Sequence, residues 1–535
     1  MFTLTVHVGK ESDKHREKLN SFAGFNRMSA AILAKYAPNF PPQAVTGGDC
    51  GEQADTTLAK QTSARLPESR SEHLVVEGAS SATTETCIRI PDHLATGGTV
   101  VLSAFDLTNR GRPIPMMWFF DVTLDFAALL AALQQTLAAY PVLCGRYASP
   151  PSAIELSNVG VPVQICTASP DTPLSEALAP LPTSSSRTSP IFFSRAAHEI
   201  FVPTKEDMDP DLFSPDAPLL KVKITLFPSG GTAIGVLLQH SIVDADAEMA
   251  FVRNWSRVFR GLNLDPTPKH DRCAVDRLWA GELASGIDPG QDNTFKIKAV
   301  PIEAPSVPEF MGVLPMIGGD QVCVVPFPAS ALREMKAAAC HALPGDQFVS
   351  TDDILAARAW QALCAMRCSQ LGISSDSEAI TTVSRACNVR QRTVPSLGTG
   401  FFGNAATQVW TELTVGDLLS MSPADVAQRL RTSLQAFQPE VVAARALWLH
   451  QKQHAGFKTT LAFDPDALTF IISSWRFDWE GADFNAKPLC FHHGAHTPVV
   501  AVILPRALGD GLNLYASGPR ESLDQFAHMV TQNSK

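Results

Sequence analysis

The sequence predicts a two-domain α/β protein, and three observations carry that reading. The chain has 535 residues, more than a single hydrophobic core ordinarily organises. Strand-like and helix-like patterns alternate in both halves, as they do when sheets are covered by helices. Between the halves runs a polar stretch from Asp265 to Asp292, rich in Pro, Asp and Gly, which reads as a connection. Hydrophobic residues make up 45% of the chain and charged residues 18%, enough apolar sequence to fill two cores.

The elements follow in order. Residues 1–72 hold short polar stretches such as Thr46-Gly47-Gly48-Asp49 and Glu68-Ser69-Arg70-Ser71-Glu72; they read as a partly disordered extension. The first domain is expected over 73–265. In it Asp125 caps a helix whose Leu129, Leu130, Leu133 and Leu137 recur at helical spacing, and Pro141 follows its end. Pro180 to Pro190 reads as a surface loop. The run KVKITLFPSGGTAIGVLLQH reads as two strands joined at Pro228-Ser229-Gly230-Gly231. Ala247, Phe251, Trp255, Val258 and Phe259 then mark a helix. A crossover connection is expected over 266–310 and a second domain over 311–535. There Ser350-Thr351-Asp352-Asp353 looks like a capped helix start. Ser422-Pro423 opens another helix, with Val426, Leu430, Leu434 and Phe437 on one face. TFIISSW and PVVAVIL read as strands.

Several function classes are disfavoured. The formal net charge is −10, so neither nucleic acid nor an anionic membrane is expected as the main partner. No run of apolar residues is long enough to span a membrane. The first residues mix both charge signs and lack an apolar signal core, and Glu11, Asp13 and Glu17 disfavour a transit peptide. The 11 cysteines include no Cys-x-x-Cys pair, which suits free thiols in a reducing, cytoplasmic setting. No Gly-x-Ser-x-Gly elbow is present. His492, His493 and His496 cluster without a Cys or carboxylate ligand pattern, so no metal is expected there.

The segment that carries chemistry is His240-Ser241-Ile242-Val243-Asp244. His240 is the one histidine in the chain with Asp four residues on. It ends an apolar strand, and Asp244 stands at a helix start. Such a junction exposes a side chain at a sheet edge, where ligands collect. A neutral imidazole there can remove a proton as a nucleophile attacks, typically worth about a hundred- to ten-thousand-fold. Its ordinary pKa of about 6.5 suits the work. The competing reading is a histidine whose ring nitrogens are satisfied by backbone.

A broader resemblance favours the chemical reading. TVVLSAFDL and YPVLCGRY (140–147) are followed by PLLKVKITLFPSGGTAIGVLLQHSIVDADAEMAFVRNW (218–255). STDDILAARAWQALC (350–364), NVRQRTVPSLGTGFFGNA (388–405), SSW (473–475) and GDGLNLYASGPRESLDQF (509–526) complete the series. In this order, over residues 73–535, they resemble the BAHD acyltransferases, and more distantly chloramphenicol acetyltransferase and peptide-synthetase condensation domains. The resemblance implies two similar-sized domains of the chloramphenicol-acetyltransferase-like type with the active-site channel between them. It implies a monomer that uses acyl-CoA as cosubstrate and binds no permanent cofactor, with a small-molecule alcohol or amine as acceptor. His240 would be the general base. Asp244 would be structural and paired with an arginine, Arg390. Ser473 and Trp475 would stabilise the tetrahedral oxyanion. Ser350 and Thr351 would lie near the pantetheine arm.

The chain departs from the family pattern in places. Asp-Phe-Gly-Trp-Gly followed by a base and Pro appears as Asp483-Phe484-Asn485-Ala486-Lys487-Pro488, one residue short and without the glycines. The resemblance places this motif in the second domain, near the cofactor channel. Asp483 is therefore a candidate cofactor-side residue, on a loop expected to follow another path. Ala245 replaces a Gly, and Asn388 replaces the acidic residue of Asp-x-Arg-x-Arg. Two other functions stay open: transfer from a carrier-protein thioester, and a non-catalytic relative that binds acyl-CoA or a metabolite.

Overall fold

A computed structural model describes residues 74–76, 83–95, 97–109, 113–148, 152–169, 174–178, 188–194, 200–203, 216–279, 297–301, 321–461, 468–494, 499–506 and 511–532. The expected extension over 1–72, most of the Pro180–Pro190 stretch, much of the 266–310 connection and His496 lie outside them. The strands of the two large sheets are, in chain order, β1 (Leu74–Val76), β2 (Thr83–Ile88), β3 (Pro113–Phe120), β4 (Val161–Thr167), β5 (Ile191–Ser194), β6 (Leu220–Leu226) and β7 (Thr232–Gln239). In the second half they are β8 (Gln321–Pro328), β9 (Ile380–Asn388), β10 (Ala406–Thr414), β11 (Leu468–Ser474), β12 (Cys490–His493), β13 (Val500–Pro505) and β14 (Gly511–Gly518).

Among the described residues each sheet has seven strands; the first runs β1-β2-β4-β6-β7-β3-β12 and the second β10-β9-β11-β13-β14-β8-β5. The first is antiparallel except between β4 and β6. In the second, β11 lies parallel to both β9 and β13. This is the mixed α/β architecture that the alternating patterns predict. β6 and β7 form the expected hairpin. Gly230 and Gly231 close its turn at φ 96° and 107°, in the left-handed region where a side chain is costly. β7 is buried along its whole length and β3 nearly so. Covered on both faces, they read as continuous apolar runs instead of alternating ones.

The halves exchange their edge strands. β12, from late in the chain, pairs with β3 at the end of the first sheet, and β5, from early in it, pairs with β8 at the end of the second. An open edge offers unpaired N–H and C=O groups, and here β3 and β8 are each paired by a strand from the other half. The segment containing His492 and His493 is therefore a strand. Helix α1 (Ala104–Thr108) makes a further link. Its Ala104 and Phe105 pack in one cluster with Val389, Phe401 and Leu449. The side chain of Gln453, in a later helix (Pro439–His454), donates to the Ala104 carbonyl at 3.0 Å.

Two more helices frame the site. In α2 (Phe126–Leu137) Asp125 is the N-cap, its side chain accepting from Ala128 N–H at 3.1 Å. α3 (Ala245–Phe259) lies on it, and the buried Trp255 donates its indole N–H to the Leu129 carbonyl at 3.0 Å. Among the described residues no helix is long and apolar enough to cross a membrane.

Candidate active site

β7 ends at Gln239, a tight turn carries His240, and α3 begins behind Asp244. The His240 imidazole is half-buried. Its Nδ1 lies 2.9 Å from the Val243 carbonyl and 3.0 Å from Asn404 Oδ1. Both partners only accept, so Nδ1 carries the proton and the ring's lone pair sits on Nε2. Asn404 comes from the loop before β10. Its side-chain amide donates to the His240 carbonyl at 2.6 Å and to Asp106 Oδ1 at 2.9 Å.

Asp244 faces away from the imidazole. Oδ1 accepts from Arg390 Nη2 at 2.9 Å and from Ala247 N–H at 3.0 Å; Oδ2 accepts from Arg390 Nη1 and Ala405 N–H, each at 2.8 Å. Burial by itself would raise its pKa, but the Arg390 charge and these hydrogen bonds hold the carboxyl below its ordinary value. Arg390 also donates to the carbonyls of Phe401 and Gly403 at 3.2 and 3.1 Å. One carboxylate thus caps the helix behind His240 and pins the loop that delivers Asn404.

Ser473 lies in the last two residues of β11 and Trp475 follows its end. The indole N–H of Trp475 donates to Ser473 Oγ at 2.8 Å, so the two donors stand in series and the serine hydroxyl is the outward one. Ser474 between them donates to Asp352 Oδ1 at 2.6 Å. Ser350 is the N-cap of helix α4 (Thr351–Leu371), in a reciprocal capping box with Asp353. Arg385 bonds Asp352 and Asp353 at 2.8 and 2.7 Å. Thr351 is half-buried in the first turn.

Asp483 and its neighbours are placed differently from the expectation. Phe484 is buried among Phe120, Trp255 and Phe259, with ring centroids 5.8, 5.2 and 5.5 Å away. Asp483 faces Arg260 at 3.5 Å. The segment therefore packs on the first half, against α3, and not in the second domain. The positive-φ position survives too: Asn485 takes φ 60°, which asparagine tolerates better than most side chains.

His492 and His493 are fully enclosed, and burial pushes both pKa values down to about 3. His492 Nδ1 lies 3.0 Å from the Tyr515 hydroxyl. Among the described residues no group of three or more His, Cys, Asp or Glu is arranged to hold a metal ion.

A family model described as the Transferase family matches residues 81–532. The chain belongs to this family, the BAHD acyltransferases. Among curated relatives, tryptamine hydroxycinnamoyltransferase 2 of Oryza sativa subsp. japonica is 25% identical over 451 residues, 80% of this chain and 92% of the relative. Shikimate O-hydroxycinnamoyltransferase of Nicotiana tabacum is 26% identical over 298 residues, 55% of this chain and 65% of the relative. Among solved structures, vinorine synthase superposes with a TM-score of 0.58 at 19% identity, covering 85% of this chain and 96% of the other. F. graminearum TRI101 complexed with coenzyme A and deoxynivalenol gives 0.60 at 17% identity, covering 80% and 96%. At these identities the structures establish the shared fold.

This BAHD chain accommodates its departures locally. Asn388 Oδ1 accepts from the Arg390 N–H at 3.0 Å, so an amide oxygen serves where the family has a carboxylate. Ala245 begins α3 in helical conformation. Sequence reasoning missed Asn404 and Asp106 as parts of the site. Both stand in family-like segments, Asp106 in TVVLSAFDL and Asn404 in NVRQRTVPSLGTGFFGNA, yet neither carries a reactive group that would single it out.

Proposed function

We propose that this chain moves an acyl group from acyl-CoA to the hydroxyl or amine of a small molecule, with His240 as general base. Nε2 takes the proton of the acceptor's O–H or N–H as that atom attacks the thioester carbonyl carbon. The tetrahedral oxyanion accepts a hydrogen bond from Ser473, whose hydroxyl is polarised by the Trp475 N–H. The C–S bond then breaks, and the imidazolium returns its proton to the leaving thiolate. No acyl-enzyme forms, because the base activates the acceptor directly. Asp244 and Arg390 hold the turn that presents the base. Ser350, Thr351 and Asp483 are assigned to the coenzyme A side, Ser350 by capping α4 and Asp483 through its ion pair with Arg260 rather than by direct contact. The observation that carries the reading is that His240 Nδ1 meets two acceptors on the protein side, the Val243 carbonyl and Asn404 Oδ1, which makes Nε2 the ring nitrogen able to take a proton.

The relatives' names suggest where to begin. Hydroxycinnamoyl-CoA, benzoyl-CoA and acetyl-CoA should be offered with tryptamine, shikimate and a wider set of alcohols and amines. Thiol release and acylated products are then read by mass spectrometry. Acceptor-dependent thiol release with a matching product is expected. Tight acyl-CoA binding without transfer to any acceptor would favour a binding protein, and transfer only from an acylated carrier protein would replace the donor.

A further inference from the structure

Asn404 sits between His240 and a buried carboxylate, and its amide can face only one way. Its backbone N–H and its Nδ2 both donate to Asp106 Oδ1, at 3.0 and 2.9 Å, and Nδ2 also donates to the His240 carbonyl at 2.6 Å. Those acceptors fix the NH2 end, so Oδ1 must turn to His240 Nδ1 at 3.0 Å. Asn109 Nδ2 approaches the same Oδ1 at 3.4 Å, which also suits an acceptor there. A flipped amide would set oxygen against the Asp106 carboxylate and the His240 carbonyl.

Asp106 is itself immobile. Its Oδ2 accepts from Ser103 N–H at 2.9 Å, Ser103 Oγ at 2.8 Å and Arg272 Nη1 at 2.8 Å. Asp106 and Arg272 are both buried, at 0% and 2% side-chain exposure. Such a carboxylate stays in place because its countercharge and hydrogen bonds are all protein groups.

We infer that Asp106 and Asn404 are positioning residues that set the tautomer of His240: Asp106 orients the Asn404 amide, and that amide holds the proton on Nδ1. The inference rests on the reading of His240 as base. A base at Nε2 requires the Nδ1–H tautomer, and once Nε2 is protonated the bonds from Nδ1–H to Asn404 and Val243 become charge-assisted and strengthen. Asp106 lies on α1 and His240 follows β7, whereas Asn404 belongs to the second half. The base is therefore oriented only where the two halves meet.

The test uses the full chain labelled with ¹⁵N-histidine. The ring nitrogen shifts of His240, assigned by their loss in His240→Gln, report the tautomer. Wild type should show Nδ1–H; an Nε2–H ring in wild type overturns the inference without any variant. Asn404→Leu keeps the backbone bond to Asp106 and removes the amide, and Asp106→Asn gives Asn404 a partner that no longer dictates its orientation. Both should show an Nε2–H fraction, with kcat lower by about ten- to a hundredfold, the size of effect found when a metal-bound imidazole loses the partner of its second nitrogen, and KM little changed. If either fails to fold, the other carries the test. Folded variants with an unchanged tautomer and normal kcat overturn it. If His240→Ala keeps its turnover, the base reading falls, and the tautomer data still decide the positioning claim separately.

Discussion

At the scale of single residues, the Asp244–Arg390 pair makes the sharpest prediction. Removing one partner leaves the other charge buried, a loss of about 3–5 kcal/mol. Asp244→Asn and Arg390→Ala should each lower the urea midpoint strongly, and the double variant should lose clearly less than their sum. Additive losses would mean the two side chains act independently. Glu248, in the first turns of α3, gives a pH-dependent test. Both its oxygens lack a hydrogen-bond partner among the described residues, and burial holds its pKa well above the ordinary value. An acid raised on folding binds more protons folded than unfolded, so its contribution to stability falls as pH rises above the unfolded value. Glu248→Gln cannot ionise and should gain on wild type as pH rises above about 4.5, the ordinary value for the acid. A constant difference across that range would show that Glu248 does not titrate as described. His240 and Asp244 were legible because they are sequence neighbours. Asn404 and Asp106 were not, because they lie 298 residues apart and meet only in the folded chain.

At the scale of elements, the hairpin of β6 and β7 and the capped helices α2, α3 and α4 could be read directly, since turn glycines, cap residues and apolar spacing are local signals. The exchanged strands could not. β5 and β12 have four residues each, and nothing in so short a run says which sheet it will join. The Asp483–Pro488 segment was misplaced for a related reason: Phe484 is apolar in either location, and only the fold puts it on α3. Its packing predicts a contrast. Phe484→Ala should cost about 3–5 kcal/mol, as large aromatic deletions in cores do. Asp483→Ala removes only a partly exposed ion pair and should cost at most about 1 kcal/mol. Urea unfolding of the two variants decides; similar losses would mean the segment is anchored by its charge and not by its ring.

At the scale of the whole molecule, the exchanged strands and α1 tie the halves together, so the site is assembled from both. Acid should loosen this tie. His492 and His493 are neutral when folded, with pKa values near 3, against an ordinary 6.5. The unfolded chain therefore binds more protons in this window, and stability is lost as pH falls from about 6.5 toward 3. His493→Phe suits the aromatic surroundings of Trp475 and Tyr515 and should remove one proton from that slope. An unchanged slope would place the acid sensitivity elsewhere. The central claim, that this assembled site transfers acyl groups through one base, is tested most directly by the turnover of His240→Ala. With an acyl-CoA and acceptor pair that the wild type uses, and with the variant's melting temperature near wild type, kcat should fall by about a hundredfold or more. A folded His240→Ala protein that turns over near the wild-type rate would contradict the account.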